Sequence, residues 1–325
     1  MPSTPDTARR DTVDDVLTDI DLPLPGRRDG KVRISWDLPA DRKLFVTTDR
    51  LSAFDRLVSP VPMKGQVLNQ LSWWWFEQTR DIVANHALGM PDPNALVATA
   101  AHPLPVEVIV RGYITGVTST SLWRRYENGE RTVYGYSLPD GLRKNERLPR
   151  PLVTPTTKAA AGSHDEPLSC AEVVSRGLVG SGLWEQVRDV ALRLFARGEQ
   201  VAWDAGLILA DTKYEFGLDA GGNLLLIDEV HTPDSSRYWE GHSFVDRYMS
   251  GQEPVSMDKE IIRRALVEAG WAGDGEPPLL APEVWEETSH RYVRAYETLT
   301  GARFEPADRP VGPRVRSNLA GLWGG

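Results

Sequence analysis

The sequence predicts an α+β fold of two or three lobes packed around one cleft. Three observations point there. A chain of 325 residues, 41% hydrophobic and 26% charged, can bury a substantial core. Strand-like runs concentrate in the first half, and amphipathic helical stripes dominate later. No internal repeat interrupts that order.

Composition narrows the function classes. The 37 basic and 46 acidic residues leave a net charge of -9, which argues against broad attraction to nucleic acid or an anionic membrane surface. Local basic groups can still hold a small anion. The single cysteine, Cys170, excludes an intramolecular disulfide and a CxxC zinc site, so a reducing, cytoplasmic setting is expected. Met1 to Asp15 has no apolar signal core, and no run of about eighteen apolar residues suggests a membrane span. The sequence sets no oligomeric state, and a homo-oligomer is compatible with it.

Residues 1–26 are polar and Pro-rich and read as a flexible arm, with the ordered fold beginning near Gly30. A first lobe is expected over 27–104. It contains a strand over 43–48 and a helix over 67–79, where Leu68, Leu71 and Trp75 share a face. Trp73, Trp74 and Trp75 read as packing residues, since no basic stripe accompanies them. A larger lobe over 105–325 opens with an alternating strand, 105–115, that carries Glu107 and Arg111 toward one side. Residues 117–158 are rich in Gly, Pro, Ser, Thr and Arg and read as hairpin and loop. Leu183, Val187, Val190 and Leu194 mark a helix ending near Gly206, and 282–299 another.

The most informative stretch runs from Leu207 to Trp239. Two strand-like runs meet at Asp219-Ala220-Gly221-Gly222-Asn223, and Gly221-Gly222 suits a two-residue turn that needs positive φ. If Ala220 pairs with Asn223, Glu215 falls opposite Asp228. Asp211, Lys213 and Glu215 recur at every second residue and share a face, while Tyr214 and Phe216 point away. Facing carboxylates repel, so the pair calls for a cation: a hard ion such as Mg2+, or Lys213 itself. Solvated carboxylates on an exposed face are the plain alternative, and a one-residue slip would undo the pairing. The apolar run Leu224 to Ile227 favours a buried strand and a functional role for the charges at its end.

Two further groups suit anions. Gly30-Lys31-Val32-Arg33 sets two cations after a flexible glycine, in reach of phosphates, although it is not a Walker motif. Arg111 and Arg237 are suited to bidentate contacts with phosphate or carboxylate, with structural ion pairs as the alternative.

Together these segments resemble the SAICAR synthase (phosphoribosylaminoimidazole-succinocarboxamide synthase) family. The resemblance spans about residues 30–299 and rests on GKVR (30–33), TTDRLSAFD (47–55), KGQVLNQLS (64–72), PVEVIVRGYITG (105–116), LPDGLRKNERLP (138–149), TPTTKA (154–159), SHDEPLS (163–169), LADTKYEFG (209–217) and IDEVHTPDSSRYW (227–239). It implies a fold related to ATP-grasp enzymes, with ATP held by the first lobe in a central nucleotide cleft. It also implies a ligase that joins carboxyaminoimidazole ribonucleotide to L-aspartate, yielding SAICAR, ADP and phosphate. By this resemblance Lys31, Arg33 and Glu107 bind the cofactor ATP, and Glu215 and Asp228 hold Mg2+. Arg111, Arg237, Asp165, Ser52 and Asp55 bind substrate, while Lys158, Asp211 and Lys213 serve catalysis around the carboxylate.

Two departures from the family pattern stand out. Ile34 and Ser35-Trp36 follow GKVR in place of a polar residue and an aliphatic-Tyr pair, and Val117 follows RGYITG where a serine is usual. Valine has no hydroxyl to donate. These departures keep open a specialised paralogue that amidates a related azole nucleotide, as in nucleoside-antibiotic biosynthesis. A non-catalytic nucleotide-binding protein is a further alternative, opposed by the retention of Lys31, Glu215 and Asp228.

Overall fold

The computed structural model describes residues 16–54, 56–118, 120–158, 165–271 and 273–323. Its first sheet runs in the order Arg28–Asp29, Arg33–Leu38, Arg42–Thr47, Ala95–Thr99, Ala87–Asp92. Burial alternates along Arg33–Leu38, so Ile34, Trp36 and Leu38 enter a core while Arg33 and Ser35 face out. The departures at Ile34 and Trp36 are therefore packing choices, since both side chains are fully buried. Leu17, Ile20 and Leu22 join the same core, as do Val311, Val315 and Leu319 from the helix Val311–Leu319. The chain thus contributes core residues well before Gly30, where the sequence begins the ordered fold. Apolar side chains spaced at 17, 20 and 22 were hidden among acidic and proline residues.

The helix Lys64–Gln78 lies on this sheet, and Trp75 is buried while Trp73 and Trp74 pack partly against the main core, as their grouping suggested. That core continues into the second sheet. There the order is Glu146–Thr157, His102–Ile114, Leu207–Leu218, with Leu224–Ile227 and Ser236–Glu240 sharing the far edge of Leu207–Leu218. The helix Ser181–Asp204 covers one face through Trp184, Val187, Val190, Ala191, Leu194 and Phe195. Among the described residues no helix is long and apolar enough to cross a membrane.

Two expectations are corrected here. Residues 117–158 hold more than loop: a short helix, Leu122–Glu127, and the twelve-residue strand Glu146–Thr157. Pro149, Pro151 and Pro155 disguise that strand. It sits at the sheet edge, where a missing N–H is tolerated, and its register slips between Arg147 and Leu152, across two of those prolines.

The second correction is the register of the hairpin after Leu207–Leu218. The backbone pairs Asp219, not Ala220, with Asn223, so Glu215 falls opposite Ile227 rather than Asp228. The Asp219 carboxylate accepts hydrogen bonds from Gly221 N and Asn223 N, and Gly222 has φ +79°. This closes a three-residue loop in place of a two-residue turn.

Candidate active site

The site grows from the outward face of Leu207–Leu218. Asp211, Lys213 and Glu215 project there, while Tyr214 is buried on the other face beside His231. On the neighbouring strand His102–Ile114, Arg111 lies opposite Asp211 and Glu107 opposite Glu215. Two carboxylates do face each other across a ladder, but the partner of Glu215 is Glu107.

Lys213 compensates that repulsion. Its ammonium lies 2.6 Å from Glu215, 3.0 Å from Glu107 and 3.7 Å from Asp228. Lys158, at the end of the edge strand, forms a further ion pair with Glu215. Burial works against the charge of Glu215, yet the two lysines hold its carboxyl well below the usual carboxylate range. Burial raises the Glu107 carboxyl; Lys213 opposes that, and Glu215 and Asp165 add to it. Asp165 is thereby placed within electrostatic reach of this cluster.

Asp228 arrives by a different route. The far edge of Leu207–Leu218 is served by two separate short strands, and the chain between them arches away over 228–235. The arch is left-handed at Asp228 (φ 69°) and His231 (φ 49°), an uncommon conformation for residues other than glycine. Asp228 then meets Arg33 of the first sheet, and Arg33 also lies 3.1 Å from the buried Glu229. Burial opposes the Arg33 charge, but Asp228 and Glu229 raise its pKa above the ordinary value. Arg33 therefore sits where the first sheet meets the carboxylates, and Lys31 is exposed in the turn after Gly30.

A second cluster lies two residues along the strand, about 7 Å by strand rise. Asp211 takes both Arg111, at 3.3 Å, and Arg237. Arg111 also donates to Thr154 Oγ1 at 2.9 Å, and Arg237 reaches Glu260 at 3.3 Å. Burial works against the Arg237 charge, and Asp211, Glu260 and Asp258 more than restore it. Gly116, with φ +107°, presents its backbone here: a Cβ would stand 3.7 Å from Arg237 and collide with Ser121. Ser121 donates its hydroxyl to Thr118 O at 2.7 Å and caps the helix Leu122–Glu127.

Ser52 lies half-buried on the hairpin of Arg50–Ala53 and Arg56–Pro60, whose Leu51 and Ala53 pack on Ile262 and Leu266 of the helix Glu260–Glu268. That helix also carries Glu260, the partner of Arg237, and so links the hairpin to the arginine cluster. Asp55 lies outside the described residues.

Sequence reasoning missed a buried layer behind the arch. Lys64, fully buried at the start of its helix, pairs with Asp234 at 2.9 Å, and Tyr292 donates to the same carboxylate at 2.7 Å. Lys259 borders this layer, and burial pushes its ammonium down to about 8 while Asp234 opposes the shift. A lysine beside a glycine gives no sign of total burial in sequence. Asp234 does stand in the same polar stretch as Arg237.

Chemically, the first cluster offers oxygen donors only, which suits a hard cation. Among the described residues no three Asp, Glu, His or Cys side chains form a ready metal cage. Mg2+ takes one or two carboxylates and completes its shell with phosphate and water. Glu215 and Asp228 fit this part, because one ammonium already touches both. The second cluster presents paired guanidiniums suited to a phosphate.

Comparison with known proteins identifies the family of the chain. Residues 27–278 match the family model described as SAICAR synthetase. A relative in Mesorhizobium japonicum, provisionally named phosphoribosylaminoimidazole-succinocarboxamide synthase 2, is 50% identical over 307 residues, covering 93% of this chain and 98% of the relative. The phosphoribosylaminoimidazole-succinocarboxamide synthase of Legionella pneumophila (strain Lens) is 46% identical over 306 residues, covering 93% and 97%. Among solved structures, the SAICAR-synthase of Saccharomyces cerevisiae complexed with SAICAR superposes with a TM-score of 0.76 at 34% identity, covering 89% of this chain and all of that one.

Proposed function

Because this chain belongs to the SAICAR synthetase family, we propose that it joins carboxyaminoimidazole ribonucleotide to L-aspartate with ATP, releasing SAICAR, ADP and phosphate. The observation that carries this reading is one strand face with two charge clusters: carboxylates gathered around Lys213 and Arg33, then paired arginines on Asp211. The first suits a metal-bound triphosphate and the second a nucleotide phosphate.

A carboxylate is a poor electrophile. Its oxygen attacks the γ-phosphorus of ATP, the bond to ADP breaks, and an acyl phosphate forms. The amine of aspartate then attacks the acyl carbon, phosphate leaves, and the nitrogen loses its proton. Mg2+, held by Glu215 and Asp228, would screen the charge of the phosphates. Lys31 and Arg33 bind the triphosphate from the first lobe, with Glu107 fixing Lys213. Lys158 and Lys213 orient the reacting carboxylate and stabilise charge on the transferred group. Arg111 and Arg237 bind the ribose phosphate, and Asp165 lines the azole side. Asp211 acts as a positioning residue, because its carboxylate is committed to two guanidiniums. Ser52 and Asp55 are assigned to substrate binding by the family resemblance.

A second reading has one observation in its favour. Val117 cannot donate a hydrogen bond, and the neighbouring hydroxyl of Ser121 is committed to Thr118 O and the helix cap. A related azole nucleotide carboxylate would then be the substrate. ADP release measured with a panel of azole carboxylates and amines separates the readings. Turnover of carboxyaminoimidazole ribonucleotide with aspartate above all other pairs is expected. Preference for another azole would overturn the first reading.

A further inference from the structure

Lys213 is held more completely than an ammonium balancing one carboxylate. It touches Glu215, Glu107 and Asp228 at 2.6, 3.0 and 3.7 Å. Two of these three, Glu215 and Asp228, are the groups assigned above to Mg2+, so the inference rests on that assignment. An ammonium and a divalent ion reaching for the same two carboxylates compete for them. Each is a compact, strongly hydrated cation, and at a few ångströms their repulsion is large.

The local charge count points the same way. Among the described residues, the acids Glu107, Glu215, Asp228 and Glu229, with Asp165 in electrostatic reach, outnumber the bases that pair with them, Arg33, Lys158 and Lys213. The excess of negative charge attracts a cation. A divalent ion added with Lys213 in place would crowd like charges together. Of its partners among the described residues, Glu107 lies outside the proposed metal pair and can keep the lysine.

We propose that Lys213 is an internal placeholder: a metal ion binding at Glu215 and Asp228 displaces its ammonium, which stays tethered by Glu107 and becomes available to the reacting carboxylate. Metal loading and arming of the lysine are then one event. The metal is taken up weakly until the polyphosphate arrives with it, because it must first compete with a resident charge.

The test uses Mn2+ alone, with free ion counted by electron paramagnetic resonance, on the full-length wild type and variants. Lys213→Met is expected to bind Mn2+ about tenfold more tightly, since the competing state is removed. Binding unchanged or weaker in Lys213→Met, while lost in Glu215→Gln and Asp228→Asn, overturns the placeholder and leaves the metal site standing. Binding that persists undiminished in both carboxylate variants instead overturns the metal assignment itself. Should Lys213→Met fail to fold, acetylation of Lys213 in the wild type, followed by mass spectrometry, replaces it. Millimolar Mn2+ is expected to speed that modification about fivefold relative to buffer, and no change overturns the proposal.

Discussion

Asp211 and Glu215 stand four residues apart on one strand face and do different work because their partners differ. Glu215 is bound by two flexible lysines, which can yield to other charges, whereas Asp211 is clasped by two guanidiniums. Replacing Glu215 by Gln should lower kcat about 100-fold or more, since the charge that organises metal and lysines is gone. Steady-state rates at saturating ATP check this, and kcat within a factor of three of wild type would contradict it. Asp211→Asn should raise KM for the azole nucleotide about tenfold, roughly 1.4 kcal/mol, and leave KM for ATP unchanged. Equal effects on both substrates would contradict a role confined to aligning Arg111 and Arg237.

At the scale of elements, the arch over 228–235 determines whether the clusters meet. Its conformation is pinned from behind by the buried pair Lys64 and Asp234. Removing one partner of such a pair leaves an uncompensated buried charge, so Lys64→Met should cost about 3 to 5 kcal/mol in urea unfolding. A loss below about 1 kcal/mol would mean that the arch is held by other contacts. Asp49 pins a different junction, accepting from Leu17 N at 2.6 Å and Gly65 N at 2.8 Å. Burial pushes its carboxyl up to about 6, with the two backbone donors opposing. A carboxyl raised on folding contributes stability that is full below its unfolded value near 4 and lost as pH rises through about 6. Wild type should therefore gain about 2 kcal/mol over Asp49→Asn on acidification from pH 7 to pH 4. A pH-independent difference between the two would contradict the shift.

The hairpin also shows what sequence can and cannot carry at this scale. Period-two spacing correctly put Asp211, Lys213 and Glu215 on one face, because alternation is a local property of a strand. The cross-strand partner was misplaced by one residue, because the loop is closed by the Asp219 side chain as well as by glycine. The opposition of Glu107 and Glu215 joins segments about a hundred residues apart. Nothing in either segment alone specifies it.

For the whole molecule, the α+β class followed from hydrophobic patterning, and the shared face of Asp211, Lys213 and Glu215 was legible where those residues cluster in the chain. Arg33 with Asp228, and Lys64 with Asp234, were not legible as pairs. Each joins the first sheet or the helix on it to the arch across more than 160 positions, and only tertiary packing decides such contacts. The edge strand Glu146–Thr157 was hidden by prolines that only an edge accommodates.

The proposed chemistry runs through an acyl phosphate, formed when ATP activates the carboxylate. Carboxyaminoimidazole ribonucleotide labelled with 18O in both carboxylate oxygens tests this directly. One labelled oxygen is expected in each inorganic phosphate released and the other in the amide of the product. Unlabelled phosphate accompanying full amide formation would contradict it.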